Sequence, residues 1–383
     1  MAQDKKKISR EAIDAHLALG GKIEIKSKAP VKSRSDLNIF YTPGVGAVSA
    51  YLAKHRGKTR DFTIKNNTVA IVSDGSAVLG LGNIGAEGAI PVMEGKAMIY
   101  KEFAGVNAFP IVLATQDVEE IIKTVKNISP VFGGIQLEDI SAPRCFEIES
   151  RLVELLDIPV MHDDQHGTAI AVLAALINAI SVVGKNLAKV KIVIIGAGAA
   201  GSGIARLLVA YGIGNILVCD SKGLISNRRD DLDANKVDLA RITNPGNLIG
   251  GLEEAVLGAD VLIGVSTGGK ITGEMIASMA TKPVVFAMAN PDPEILPNEA
   301  IASGAYIAAS GRSDFENQIN NLLVFPGVFK GALGNKVSKI TTSMKIEAAV
   351  KLASLVKKPS RHEILPSPFD KRVVGAVASA IRS

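Results

Sequence analysis

Tryptophan is absent from the 383 residues, aromatic residues make up only 4%, and no basic run is interleaved with aromatics. A positively charged groove with stacking platforms therefore lacks its building blocks, which argues against nucleic-acid binding. Cysteine is scarce too: Cys145 and Cys219 cannot make a disulfide framework or a four-cysteine metal site within one chain. A reducing cytoplasm is the expected setting. The N-terminus, MAQDKKKISREAIDAHLALG, lacks the apolar core and cleavage site of a secretory signal, and Lys5, Lys6 and Lys7 read as a solvated tail. The most apolar run, TAIAVLAALINAISVVG, is short for a bilayer and interrupted by Asn178 and Ser181. It reads as a buried helix, so no membrane partner is expected.

What is present points to an enzyme-like α/β chain. Its length exceeds one ordinary core, and a hydrophobic fraction of 47% with 37 glycines suits two domains with many tight turns. The 43 basic and 38 acidic residues are interspersed, leaving a net charge of +5 that admits anionic small molecules. From Thr68 onward, short β-branched runs (TVAIVS, AFPIVLA, GGIQL, IPVMHDD) alternate with helix-like ones (EGAIPVMEGKAMIYKEFAG, DVEEIIKTVKNI, RCFEIESRLVELL). Such alternation predicts a parallel sheet with crossover helices. After a helix expected over 168–183 the alternation resumes with KVKIVIIGAGAAGSGIARLLVAYG, NILVCDSKGLI, ADVLIGVSTGG and PVVFAMANPDPEI. We expect a first domain over residues 1–164, a Rossmann-type domain over 165–321, and a helical segment over 322–383 that returns to pack on the first.

The glycine-rich turn of the second block carries a chemical signal. Gly196, Gly198 and Gly201 satisfy G-x-G-x-x-G between an apolar strand and an apolar helix, and Asp220 ends the next strand. The stretch Gly196, Ala197, Gly198, Ala199, Ala200 and Gly201 would bring pyrophosphate to a helix N-terminus, whose free N–H groups favour an anion. Asp220 would accept a ribose hydroxyl, which favours NAD, but Lys222, Arg228 and Arg229 follow closely and offset the repulsion of a 2′-phosphate. NAD or NADP is expected, with the choice open.

The stretch MHDDQHGTAI, residues 161–170, holds a second signal. His162 and His166 have the i, i+4 spacing of a zinc peptidase, yet Asp163 stands where such a motif carries glutamate, and Gly167 and Thr168 suggest a helix beginning only after His166. The histidines therefore read as groups that orient their neighbours. The carboxylates matter more: Glu138 and Asp139 close one strand, Asp163 and Asp164 the next, and strand C-termini of a parallel sheet share one rim. Such an oxygen-only set suits Mg²⁺ or Mn²⁺; helix capping by one member of each pair is the alternative.

Taken in order, YTPGVG, SDGSAVLGLGNIGAEGAIPVMEGKAMIYK, LEDI, HDDQHGTA, GAGAAGSG, FAMANPDPE and NNLLVFPGV closely resemble the malic enzymes, over roughly residues 35–330 and in the compact prokaryotic size. The resemblance implies metal-dependent oxidation of L-malate by NAD or NADP and decarboxylation to pyruvate and CO₂. It assigns Lys96 as general base, Tyr41 as the proton donor to enolpyruvate, and Asp163 as a carboxylate beside the lysine. Glu138, Asp139 and Asp164 would ligate the metal, and Asn290 and Asn321 would contact substrate and nicotinamide. A homodimer is implied, in which one subunit can contribute to its neighbour's site. In one place the sequence departs: larger malic enzymes have a carboxylate-binding arginine where Ala77 stands, so backbone N–H groups, Asn290 and Asn321 would have to serve. A malolactic-type enzyme that retains NAD, and a non-catalytic dinucleotide sensor, are the competing expectations.

Overall fold

The computed structural model describes residues 2–382, with side chains from residue 7. Two sheets are built from the β-branched runs. In the first, β2 (Asn107–Val112), β1 (Thr68–Ser73), β3 (Gly134–Leu137) and β4 (Val160–His162) lie side by side in that order, all parallel. In the second, the order is β10 (Ile307–Ser310), β9 (Val284–Ala287), β8 (Val261–Gly264), β5 (Ile192–Ile195), β6 (Ile216–Asp220) and β7 (Gly223–Leu224). All pair in parallel except β7, a short antiparallel return on β6. Strands such as β1 and β5 are buried along their whole length, as expected when helices cover both faces of a sheet. β10, IAAS in sequence, is too alanine-rich to stand out as a strand, and pairing with β9 makes it one.

The apolar run of MHDDQHGTAI and beyond becomes the Asp163–Val183 helix. By length and composition it could cross a membrane, but most of it is enclosed by protein. One continuous core joins Val69 and Ile71 of the first sheet, this helix, Ile192 and Ile194 of the second sheet, and Phe325 and Phe329 beyond. The helix starts five residues before the expected 168. Asp163 and Asp164 occupy its first turn, where carboxylates complement the positive helix terminus, and Gly167 is accommodated inside it.

After β10 the chain returns to the first sheet. Pro326 stands in the first turn of the Phe325–Gly334 helix, where a missing N–H costs nothing, and Phe325 and Phe329 pack on Tyr100 with ring centroids 4.8 and 5.9 Å away. The Thr342–Ala353 helix is tied to the central helix by Asn178, whose amide donates to the Ala353 and Ile364 carbonyls at 2.9 Å each. At the other end the lysine-rich stretch is part of a helix, Ala2–Leu19, instead of an irregular tail. Lys7 is exposed, and the Lys5 and Lys6 side chains lie outside the described residues.

Candidate active site

Because β3 and β4 are neighbours, the two acidic pairs that follow them meet at one rim. Lys96, in the last turn of the Gly85–Ile99 helix, points at the same place. Its Nζ donates to Asp163 Oδ2 at 2.5 Å and lies 2.8 Å from Glu138 Oε1. It also sits 4.6 Å above the Phe325 ring. Burial works to lower the lysine pKa, but Asp163, Glu138 and Asp164 outweigh it and hold the ammonium above its ordinary range.

The carboxylates of Glu138, Asp139 and Asp164 each offer an oxygen within 4.8 Å of the others. Burial, together with the Asp164 charge, pushes Asp139 up to about 7, and burial also drives Glu138 well above its usual value against the pull of Lys96. Asp139 Oδ2 is buried with no hydrogen bond to the described residues. Oxygen-only donors, crowded negative charge and an orphaned acceptor fit a hard divalent cation such as Mg²⁺ or Mn²⁺.

The two histidines do not converge. His162 Nε2 lies 3.1 Å from Asp164 Oδ2, whereas His166 Nε2 meets Glu149 Oε2 at 3.0 Å. Each therefore holds a neighbour, although the reason differs from the one the sequence suggested: the helix begins before His166, and the partners pull the rings apart.

A cavity of about 410 Å³ opens in front of this cluster. Lys96, Glu138, Asp139 and Asp164 line it together with Ala200, Ser266, Asn290 and Asn321. Lys96 is its only cation among the described residues. Ala77 lines the wall and donates its N–H to the Asp139 carbonyl, and nearby Arg144 does not replace the missing arginine, being held by Asp74 at 3.0 Å and by Ser141 at 3.0 Å.

The glycine loop has the geometry its spacing implied. Gly196 has φ +112, and a Cβ there would lie 2.6 Å from the Val265 carbonyl; one on Gly201 would lie 1.8 Å from the Gly196 carbonyl. A Cβ on Gly198 would meet only open space. Gly198 also caps the Ala199–Ala210 helix, so the open side lies at a helix N-terminus suited to pyrophosphate. Ala197 is buried beneath the loop, while Ala199 and Ala200 open the helix. Asp220 ends β6, as expected.

Tyr41 is not brought to this cavity. It is 67% exposed, between two helices, Arg34–Phe40 and Gly44–Lys54, that bury no residue at all.

Two groups behind the site escape sequence reasoning. Tyr100, fully buried, donates to Gln136 Oε1, and Gln136 Nε2 donates to Glu138 Oε2 at 2.7 Å. Burial, with Asp163 and Glu138, keeps that phenol protonated by raising its pKa. Glu149 accepts the His162 N–H at 2.7 Å and Gln165 Nε2 at 3.0 Å in addition to His166. The available signal was a carboxylate on the apolar stripe of its helix, beside Cys145, Ile148 and Leu152.

Comparison with known proteins agrees with this geometry. The family profile "malic enzyme, N-terminal domain" matches residues 20–153, and "malic enzyme, NAD binding domain" matches residues 165–381. The chain is 50% identical to the bifunctional malic/malolactic enzyme of Bacillus subtilis, over 98% of this chain and 92% of that one. It is 54% identical to an NAD-dependent malic enzyme of Geobacillus stearothermophilus, over 95% of this chain and 76% of the relative. The crystal structure of an NAD-dependent malic enzyme from Thermotoga maritima superposes with a TM-score of 0.94 at 47% identity, covering 97% of this chain and 99% of that one. With both halves of the chain matched and the two sheets meeting at one carboxylate-lined cavity, the chain belongs to the malic enzyme family.

Proposed function

We propose that this chain oxidises L-malate at C2 with NAD or NADP and decarboxylates the product to pyruvate and CO₂. The observation that carries the reading is Lys96, fixed between Asp163 and Glu138 at the edge of a carboxylate triad, in a cavity also lined by Ala200 in the first turn of the helix that follows the glycine loop. Glu138, Asp139 and Asp164 would hold Mg²⁺ or Mn²⁺, while the loop from Gly196 to Gly201 and Asn290 would hold the dinucleotide. When bound, the cation supplies positive charge that polarises the substrate oxygens and the dinucleotide accepts hydride.

The chain's own residues do the rest. Lys96 accepts the malate hydroxyl proton as hydride departs, and Asp163 aligns the amine and stores the charge that results. A neutral lysine is required, and neutralising the acids that now hold it protonated shifts it toward that state. Asn290 and Asn321 line the cavity and orient the substrate carboxylates; the backbone N–H groups of Ser76, Ala77 and Val78, already donated within the chain, do not share that task.

Tyr41, the donor to enolpyruvate carbon, acts from a second copy. Its surroundings expose Phe40, Val45, Val48 and Tyr51, an apolar face that a homodimer would cover. Free, buried Cys145 and Cys219 accord with a cytoplasmic setting.

The test is purified protein with L-malate and Mn²⁺. Free reduced coenzyme, pyruvate and CO₂ are expected, and Lys96→Ala should lower kcat about 10²- to 10⁴-fold while coenzyme binding persists. Absence of reaction with either coenzyme, or an unchanged rate in the variant, would refute the reading. Lactate without net coenzyme reduction would replace it with the malolactic route.

A further inference from the structure

Glu294 is fully buried, and no basic side chain among the described residues pairs with it. A carboxylate withdrawn from water without a counter-ion is costly, so whatever hydrogen-bonds it must hold it there. Its partners are two backbone N–H groups. Ser266 donates to Oε1 at 2.7 Å, and Ala289 donates to Oε2 at 3.0 Å. Burial raises the Glu294 pKa against the pull of those donors. Gly264, the last residue of β8, makes room for the carboxylate: a Cβ there would lie 2.4 Å from the Glu294 Cδ.

The carboxylate joins two turns that the sheet leaves apart. β8 and β9 are paired as far as Gly264 and Ala287, and Met288 still donates to the Gly264 carbonyl at 2.9 Å. Beyond that point the chain enters the turns at the strand ends, where ligands of a parallel sheet bind. Glu294 continues the ladder with its own side chain, one oxygen for each turn. Its backbone carbonyl also accepts the Ile271 N–H at 3.1 Å, at the far end of the first turn. Both turns reach the cavity, one through Ser266 and the other through Ala289 and Asn290.

Glycines confine Asn290 from its other sides. A Cβ on Gly311 would lie 2.8 Å from Asn290 Nδ2, and one on Gly80 would lie 2.0 Å from the Asn290 carbonyl oxygen. Gly80 follows β1 of the first sheet, so this contact spans the two halves of the site. A shift of Ala289 would therefore move both the Asn290 amide and the backbone that meets the first domain.

Resting on the malate-oxidising reading above, we infer that Glu294 is a positioning residue: its two oxygens tie the turns after β8 and β9 into one unit and so fix Asn290 against Gly80 at the cavity.

Amide hydrogen exchange of the full-length protein tests the tie directly. Ser266 and Ala289 lie outside the strands, yet they should exchange about 10²-fold more slowly than the exposed Gly268 and Lys270 nearby. A glutamine accepts through only one of its two terminal atoms, so Glu294→Gln should speed one of the two amides about tenfold or more. With malate and Mn²⁺ its kcat should fall about 10- to 100-fold while the Mn²⁺ Kd stays within about twofold, since the carboxylate triad stands beyond β3 and β4 of the other sheet. Gly264→Ala displaces the same carboxylate without removing its charge, and adding it to Glu294→Gln should lower kcat little further. Ser266 and Ala289 amides that exchange as fast as Gly268 would overturn the inference. So would a wild-type kcat in Glu294→Gln, or a loss of Mn²⁺ affinity as large as the loss of kcat. The exchange rates need no turnover, so a wild-type protein that fails to oxidise malate would tell against the proposed reaction and leave the tie to be judged on exchange.

Discussion

Glu149 accepts the backbone N–H of His162 across 2.7 Å, so a carboxylate on the Arg144–Leu155 helix holds the residue from which the Asp163–Val183 helix departs. Its other oxygen takes Gln165 and His166 at 3.0 Å each. The first turn carrying Asp163 and Asp164 is thus clamped from behind, and Gly203 lets the dinucleotide-loop helix press on it: a Cβ there would lie 2.3 Å from the Gln165 carbonyl. The carboxylate rim and the helix that follows the glycine loop share this one turn.

That clamp makes Glu149 a positioning residue. Burial works to raise its pKa, but His166 prevails and holds it down to about 2, so it is an anion wherever the protein is folded at ordinary pH. Glu149→Gln keeps the shape and removes half the acceptors. Its Kd for Mn²⁺ should weaken about 10- to 100-fold, with coenzyme affinity much less affected. Calorimetric titration of both ligands checks this, and a metal affinity equal to wild type would dismiss the role.

The raised Asp139 sets a pH dependence. Its folded-state pKa of about 7 lies above the ordinary 3.8, so its contribution to stability is fully present below about pH 4 and is lost as pH rises through 7. A divalent cation binds the ionised form and should recover that loss. The gain in Tm on adding Mn²⁺ is therefore expected to grow between about pH 5 and 8, and the Mn²⁺ Kd to tighten over the same interval. A gain independent of pH would count against the triad as the metal site.

Gly167 touches Asp163 in a way no other residue could. A Cβ built on it would lie 1.9 Å from Asp163 Oδ1 and 3.1 Å from the Asn321 Cβ. Gly167→Ala must displace the carboxylate that aligns Lys96. We expect a loss of about 1–3 kcal/mol in stability from overpacking and a larger proportional loss in kcat than in coenzyme affinity. Urea unfolding and steady-state kinetics on the same preparation separate the two.

Donation of Tyr41 from a second copy predicts complementation. Lys96→Ala and Tyr41→Phe are each expected to be nearly inactive alone. Mixed after subunit exchange, half the dimers would be hybrids, and one site in each hybrid would combine an intact Lys96 with its partner's intact Tyr41. About a quarter of wild-type activity should return. If Tyr41 served its own chain, every hybrid site would lack one group and no activity would appear.

The sequence by itself determined the alternating architecture, the glycine loop and the identity of the carboxylate pairs. These are local properties: β-branched runs, an x-G-x turn and acids at strand ends act through the backbone within a few residues. Parallel pairing of β3 with β4 then required no further information to bring Glu138, Asp139, Asp163 and Asp164 together. The tertiary structure alone decided what depends on meeting across the fold. It started the central helix at Asp163, because first-turn acids and the Glu149 clamp outweigh a glycine inside it. It turned His162 and His166 toward different carboxylates, and it left Tyr41 outside its own chain's cavity. It also set Arg229 and Lys236 against Asp220, the expected ribose acceptor. Spacing along a chain fixes which groups are available, but the low-dielectric interior, where each buried charge must find a partner, selects which of them meet.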